Sequence, residues 1–194
     1  MGSARLFVAF DLAPEAKQRL DDCRRQLRPG LGNLKWVRPE ALHLTVRFLG
    51  ETALERLDDL GAAVQATAAA QPPFSFSLRG LGVFPEARRP VVFWAGVADG
   101  RETLQRFAED LRTSLALAGF GSDDRPFLPH VTLARARPDT RLRAGPVQQL
   151  LAEWSGRHLG ETRLDHVTVY ASTLTPAGPL YEVLRQCPLA PPPA

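Results

Sequence analysis

After a short polar start the chain carries an apolar run of strand-forming residues, Arg5-Leu-Phe-Val-Ala-Phe-Asp-Leu12, closed by Ala13-Pro14, and from Glu15 to Leu27 its apolar positions fall at helical spacing. Strand then helix is the first prediction. Residues 34–37 and 42–49 read as strands with Gly50 as a stop, and the Ala- and Leu-rich stretch 53–70 reads as a helix ended by Pro72-Pro73. Phe-Ser-Phe-Ser-Leu alternation predicts a half-buried strand over 74–81, and 90–97 another. A helix is expected over 102–118, stopping near Gly119, before the segment Asp123 to Pro129 leads into a strand at His130. Pro146 opens a predicted helix to Trp154, and two strands, about 164–174 and 180–185, finish the fold. This is an α+β order, hairpin-like strands alternating with helices.

Composition narrows the class. With 194 residues, 44% of them hydrophobic, the chain can bury a sizeable core without disulfides or metal staples. Its apolar stretches fall far short of the roughly eighteen residues of a membrane span, and Met1 to Phe10 lacks a basic-then-apolar signal layout, so a cytoplasmic, membrane-free protein is expected. Cys23 and Cys187 have neither Cys-x-x-Cys nor zinc-ligand spacing and read as buried or incidental thiols. No Gly-x-Gly-x-x-Gly follows a strand and no Walker loop is present, which argues against a nucleotide-cofactor or NTPase machine. The net charge of +3 permits an anionic substrate without demanding one. Twenty-two Arg stand against two Lys, a bias that suits phosphate binding and base stacking but fits a GC-rich coding sequence as readily.

The chemistry lies in a repeated tetrapeptide. His43-Leu44-Thr45-Val46 and His130-Val131-Thr132-Leu133 are 87 residues apart, and on a strand each histidine shares a face with its threonine while the apolar pair enters the core. Two imidazoles and two hydroxyls meeting across one cleft are complete for acid–base work on a phosphodiester: one ring takes a proton from the nucleophile, the other gives one to the leaving oxygen, and the hydroxyls hold phosphoryl oxygens. No metal is needed. His166-Val167-Thr168-Val169 is a third match, and placement separates it. If the chain divides into two similar lobes of about 97 residues, His43 and His130 fall 43 and 33 residues into theirs, and His166 falls at 69. The first two also share a preceding proline, Pro39 and Pro129, and a following arginine, Arg47 and Arg135. His166 has neither and is read as structural or incidental.

In order along the chain, Arg5 to Leu12, Trp36-Val37-Arg38-Pro39-Glu40, His43 to Gly50, Leu81-Gly82-Val83-Phe84-Pro85, Pro126 to Arg135 and Ser172 to Tyr181 resemble the 2H phosphoesterases. More narrowly, the chain is similar to the RNA 2′,3′-cyclic phosphodiesterases, also called the bacterial and archaeal 2′-5′ RNA ligase family, from residue 5 to about 185. The resemblance implies a bilobal α+β fold, with two pseudo-symmetric lobes of antiparallel strands and outer helices around a central cleft. Residues 1–190 are expected to form one bilobal domain, and the Pro-rich composition of 191–194 reads as a disordered tail. It implies catalysis by His43 and His130, substrate binding by Thr45 and Thr132, no metal or other cofactor, and substrates that are RNA ends or nucleotides bearing a 2′,3′-cyclic phosphate. A monomer is expected.

The resemblance also implies a 2′-phosphate product, hence departure of O3′. We assign His43 as general acid and His130 as general base, although the residue types fit either order. If a 5′-hydroxyl replaces water, the same chemistry forms a 2′-5′ linkage without ATP. Arg47 has the strand parity of His43 and is expected to point inward; Arg135 has that of Val131 and reaches the cleft only if its strand bends or ends. Trp36, Phe48 and Tyr181 are candidate base stackers, with core packing the commoner use of such rings. The alternatives are a 2′-5′ oligonucleotide or ADP-ribose cyclic phosphate phosphodiesterase, and a non-catalytic RNA- or nucleotide-binding module.

Overall fold

The computed structural model describes residues 2–121, 126–175 and 178–191. Nine strands and four helices follow one another as β1 (Ser3–Asp11), α1 (Pro14–Leu27), β2 (Leu34–Trp36), β3 (His43–Ala53), α2 (Leu57–Ala69), β4 (Phe74–Phe84), β5 (Val92–Val97), α3 (Arg101–Leu117), β6 (His130–Ala136), α4 (Ala144–Trp154), β7 (His158–Leu164), β8 (His166–Thr175) and β9 (Gly178–Pro188) among the described residues. They form two antiparallel sheets, β3-β1-β8-β9 and β2-β6-β5-β4-β7.

Local chemistry accounts for the helices. Pro14 sits in the first turn of α1, where its missing N–H costs nothing, Glu15 follows it, and Arg24 and Arg25 occupy the last turn, a charge order that complements the helix dipole. Its buried residues Ala16, Leu20, Cys23 and Leu27 recur at steps of three and four, one stripe of a helix. Helices α2 and α3 pack on each other and against the first sheet, while α1 lies on β7 and α4 on β4 of the second. Phe10, fully buried, joins the two halves of the core: its ring centroid is 5.0 Å from Phe107 on α3 and 5.9 Å from Phe74 on β4. Burying one such ring is worth about 1.5–3 kcal/mol.

Several expectations change. The lobes are not successive halves of the chain: β1 pairs with β3 on one side and β8 on the other, so the first sheet is completed only by the C-terminal strands. The stretch 158–164, read as no element, is strand β7; its alternation of polar His158, Glu161 and Arg163 with buried Leu159, Thr162 and Leu164 is a half-buried edge pattern interrupted by Gly160. Gly50 does not stop β3, because its positive φ of 70° lets the backbone turn within the strand and continue to Ala53. The helix expected from 53 begins at Leu57, after a 3-10 turn over Leu54–Arg56. Asp123 to Arg125 of the approach to His130 and residues 192–194 of the expected tail lie outside the described residues. Both cysteines are free and buried, and burial pushes the Cys23 thiol up to about 12. Among the described residues no helix is long and apolar enough to cross a membrane.

Candidate active site

Each histidine of the repeated motif begins a strand, and the two strands, β3 and β6, approach each other from different sheets. Each ring is fixed in the same way. His43 Nδ1 is 2.9 Å from the carbonyl oxygen of Ala41, and His130 Nδ1 is 2.7 Å from that of Leu128. A carbonyl oxygen only accepts, so Nδ1 carries the proton in both rings and Nε2 is the working nitrogen. The prolines before the motifs shape these approaches: Pro39 opens a 3-10 turn ending at Ala41, and Pro129 separates Leu128 from His130. Thr45 Oγ1 is 2.9 Å from His43 Nε2, so in the neutral ring the hydroxyl donates.

Beyond the threonines both strands carry a one-residue irregularity. In β3 the register with β1 slips between Ala9↔Thr45 and Val8↔Arg47; in β6 the register with β5 slips between Trp94↔Thr132 and Phe93↔Ala134. An extra residue reverses the side-chain alternation that follows it. The expected parity of both arginines is therefore inverted. Arg135, exposed and lining the cleft, lies across from Lys35 of β2, so the strand bend that its role required is present. Arg47 stands across from the buried Val8 instead of continuing the row of His43; it meets the cleft from the side, its guanidinium donating to the Gly121 carbonyl at 3.3 Å. Phe48 takes the place expected for Arg47, across from Phe7 with ring centroids 5.9 Å apart.

Aromatic rings pack against both imidazoles. Phe7 lies 5.0 Å from His43 and Tyr181 meets it edge-on at 5.1 Å; Phe84 meets His130 edge-on at 5.1 Å and Trp94 lies 6.0 Å away. Gly82 makes room for that indole, since a Cβ there would fall 2.1 Å from the Trp94 ring. Burial in this apolar setting pulls the pKa of His43 down to about 4; the bond to Ala41 and the charge of Asp11 oppose the fall, and Lys17 and His130 add to it. His130 is also lowered, first by burial and then by Arg135, against the pull of its bond to Leu128. Both rings are thus neutral near pH 7 in the free protein. Burial raises the Tyr181 hydroxyl, and the charge of Arg135 opposes the rise.

The cleft that holds both Nε2 atoms and both threonines has a volume of about 1690 Å³. Among the described residues, nine Arg and Lys side chains line it, including Arg5, Lys35, Arg38 and Arg135, against one carboxylate, Glu109, itself bonded to Arg112. With a chain net charge of +3, positive charge is concentrated here. Of the candidate stackers, Trp36 and Tyr181 are half-buried cleft residues and Phe48 is 60% exposed, which overturns the reading of Phe48 as a core ring. His166 bonds Asp165 through Nδ1 at 2.5 Å and lies outside the cleft lining, as its placement in the sequence suggested.

Sequence reasoning missed Asp11, which Thr168 and Tyr170 hold close to His43, and Trp94 beside His130. A lone carboxylate in the otherwise apolar first strand was the available signal for Asp11. Trp94 sits in an apolar strand and gave none.

A family description, the 2′-5′ RNA ligase superfamily, matches residues 10–175. The chain belongs to this superfamily. An RNA 2′,3′-cyclic phosphodiesterase of Thermotoga maritima is 32% identical over 185 residues, covering 94% of each chain. The crystal structure of TT0787 of Thermus thermophilus superposes with a TM-score of 0.78 at 34% identity, over 95% of this chain and 97% of that one. Escherichia coli LigT, crystallised in complex with 3′-AMP, gives a TM-score of 0.76 at 28% identity over 97% and 99%. The superfamily's fold is therefore the fold of this chain, with the bilobal α+β architecture expected from its motifs.

Proposed function

We propose that the cleft hydrolyses a 2′,3′-cyclic phosphate at an RNA end or on a nucleotide to a 2′-phosphomonoester, by acid–base catalysis between His43 and His130 and without a metal. The observation that carries this reading is the matched anchoring of the two rings: each donates Nδ1–H to a carbonyl two residues upstream, leaving both Nε2 atoms for proton transfer in one basic cleft. Action on RNA fits a basic cleft with an exposed ring, Phe48, at its side, and the reading is of a cytoplasmic monomer.

The cyclic ester is already strained, so the protein needs to orient a water, remove its proton and protonate one ribose oxygen. His130 Nε2 takes the proton of the water; the new bond forms from water oxygen to phosphorus and the P–O3′ bond breaks; His43 Nε2–H delivers its proton to O3′. Arg135 disfavours a charge on His130, which suits a base. An anionic phosphate between the rings favours imidazolium and offsets part of their burial cost. When His43 gains its proton, Nε2 becomes a donor and releases the Thr45 hydroxyl, which then turns to a phosphoryl oxygen beside those of Thr132 and the Arg135 guanidinium. Arg47, at the side of the cleft, adds positive charge for binding the phosphate. With a 5′-hydroxyl in place of water, the same steps join a 2′-5′ linkage.

The deciding experiment incubates the protein in EDTA with a 2′,3′-cyclic mononucleotide and with an oligoribonucleotide ending in a cyclic phosphate, and reads phosphate position by ³¹P NMR. A 2′-phosphate product is expected. A 3′-phosphate, or turnover that returns only with a divalent ion, overturns the reading.

A further inference from the structure

Asp11 has no step in the chemistry above, yet it ends β1 directly opposite His43 in the β1–β3 register. Its carboxylate is fixed from the other neighbouring strand: Thr168 donates to Oδ2 at 3.0 Å and the Tyr170 hydroxyl to Oδ1 at 2.5 Å. His166 Nε2 lies 3.6 Å from Oδ2. Asp11 thus stands between His43, its register partner, and the His166 ring, beside a row of Thr45, Ala9 and Thr168 across β3, β1 and β8.

Two neutral hydroxyls solvate this carboxylate, and among the described residues no arginine or lysine pairs with it, so its charge is left to act on its surroundings. The groups that face His43 come from five elements: Asp11 from β1, Lys17 from α1, His130 from β6, Tyr170 from β8 and Tyr181 from β9. Lys17 and His130 oppose a proton on the ring, and both tyrosines stay protonated because burial raises them. Asp11 is the one anion of the set.

We propose that Asp11 is a positioning residue whose charge, held in place by Thr168 and Tyr170, keeps the acid proton on His43 until O3′ takes it. The inference rests on the reading of His43 as general acid. It gives the two imidazoles different electrostatic partners, a carboxylate for His43 and a guanidinium, Arg135, for His130.

Asp11→Asn in the full chain removes the charge and keeps the size and an acceptor oxygen. At saturating cyclic nucleotide, kcat should fall about ten- to a hundredfold with little change in KM, and the alkaline limb of the kcat profile should move down by about one pH unit. The acidic limb, set by His130, should stay. An NMR titration of the His43 ring with inorganic phosphate bound should show the same downward shift, and it needs no turnover. Tyr170→Phe keeps the carboxylate and its charge but frees one of its oxygens, so its alkaline limb should fall by less than that of Asp11→Asn. A folded Asp11→Asn protein with both limbs and the His43 titration unmoved overturns the proposal, as does a Tyr170→Phe limb that falls as far as that of Asp11→Asn. Should His43→Gln retain full activity, the assignment of the acid fails instead, while the His43 titration still reports whether Asp11 acts on that ring.

Discussion

Phe48 and Arg135 are counterparts: each lies five residues after its motif histidine, and each is brought into line with it by a single-residue register slip just past the threonine. One lobe thus offers the cleft an exposed aromatic ring and the other a guanidinium. The pseudo-symmetry of the two motifs extends to their backbone irregularities, while the side chains these deliver differ in chemistry. A substrate with a base at one end and a phosphate at the other matches that difference.

Phe48→Ala should therefore raise KM for an oligoribonucleotide by about five- to fiftyfold, the equivalent of one lost stacking contact of about 1–2 kcal/mol, and leave kcat within a few fold. Arg135→Ala should lower kcat as well as binding if its charge meets the phosphate as proposed, and should flatten the dependence of binding on salt concentration. Steady-state kinetics at two ionic strengths separate the two patterns. Equal effects on kcat from both substitutions would remove the distinction between stacking and phosphate roles.

His43→Ala and His130→Ala should each lower turnover by about a hundred- to ten-thousandfold, about 3 to 5 kcal/mol on the barrier. The double variant should lose less than the sum, since both rings act in one step. His158→Ala and His166→Ala should stay within a few fold. Single-turnover rates with purified, folded variants test the set, and an inactive His166→Ala beside an active His130→Ala would show that the base had been placed on the wrong strand.

Thr45→Val and Thr132→Val keep the β-branched shape that strands favour and delete the hydroxyl. Each should reduce kcat more than it weakens product binding, and Thr45→Val should also disturb the pH profile, because its hydroxyl bonds His43 Nε2. Calorimetric binding of the 2′-phosphate product alongside kcat distinguishes the two effects. Wild-type turnover in the double variant would leave the imidazoles without this anion site.

Stability should depend on pH through His43. Its folded-state pKa of about 4 lies below the unfolded value of 6.5, so between those values the unfolded chain binds more protons. The contribution is complete above pH 6.5 and is lost as pH falls from there toward 4. Urea midpoints in mildly alkaline and in mildly acidic buffer, on either side of that window, should show the loss, and His43→Gln should reduce its slope. The same midpoint shift in that variant would place the titration elsewhere.

How far the sequence could be read depended on the range of the interaction involved. His43, Thr45, His130 and Thr132 could be placed on one face each because strand alternation is local. The inward turn of Arg135 and the sideways turn of Arg47 could not, since a slip of one residue in pairing is decided by the partner strand. Phe48 was expected inside because phenyl rings are usually buried. Strand β7 escaped because its apolar positions are interrupted by Gly160, whose place is set by contact with Ala16 of α1. Asp11 became meaningful only once β1 was seen between β3 and β8.

That central position of β1 has a consequence for how the protein is made. Arg5 and Val8 emerge from the ribosome long before their pairing partners Ser172 and Val169 are synthesised. The strand therefore waits with one edge open, an apolar Leu-Phe-Val-Ala-Phe segment exposed to other chains, until β8 arrives. Such distant pairing slows folding. Truncation before residue 166 would leave β1 with an uncovered edge on the side away from β3, so nascent or shortened chains should aggregate through β1 before they could acquire any activity.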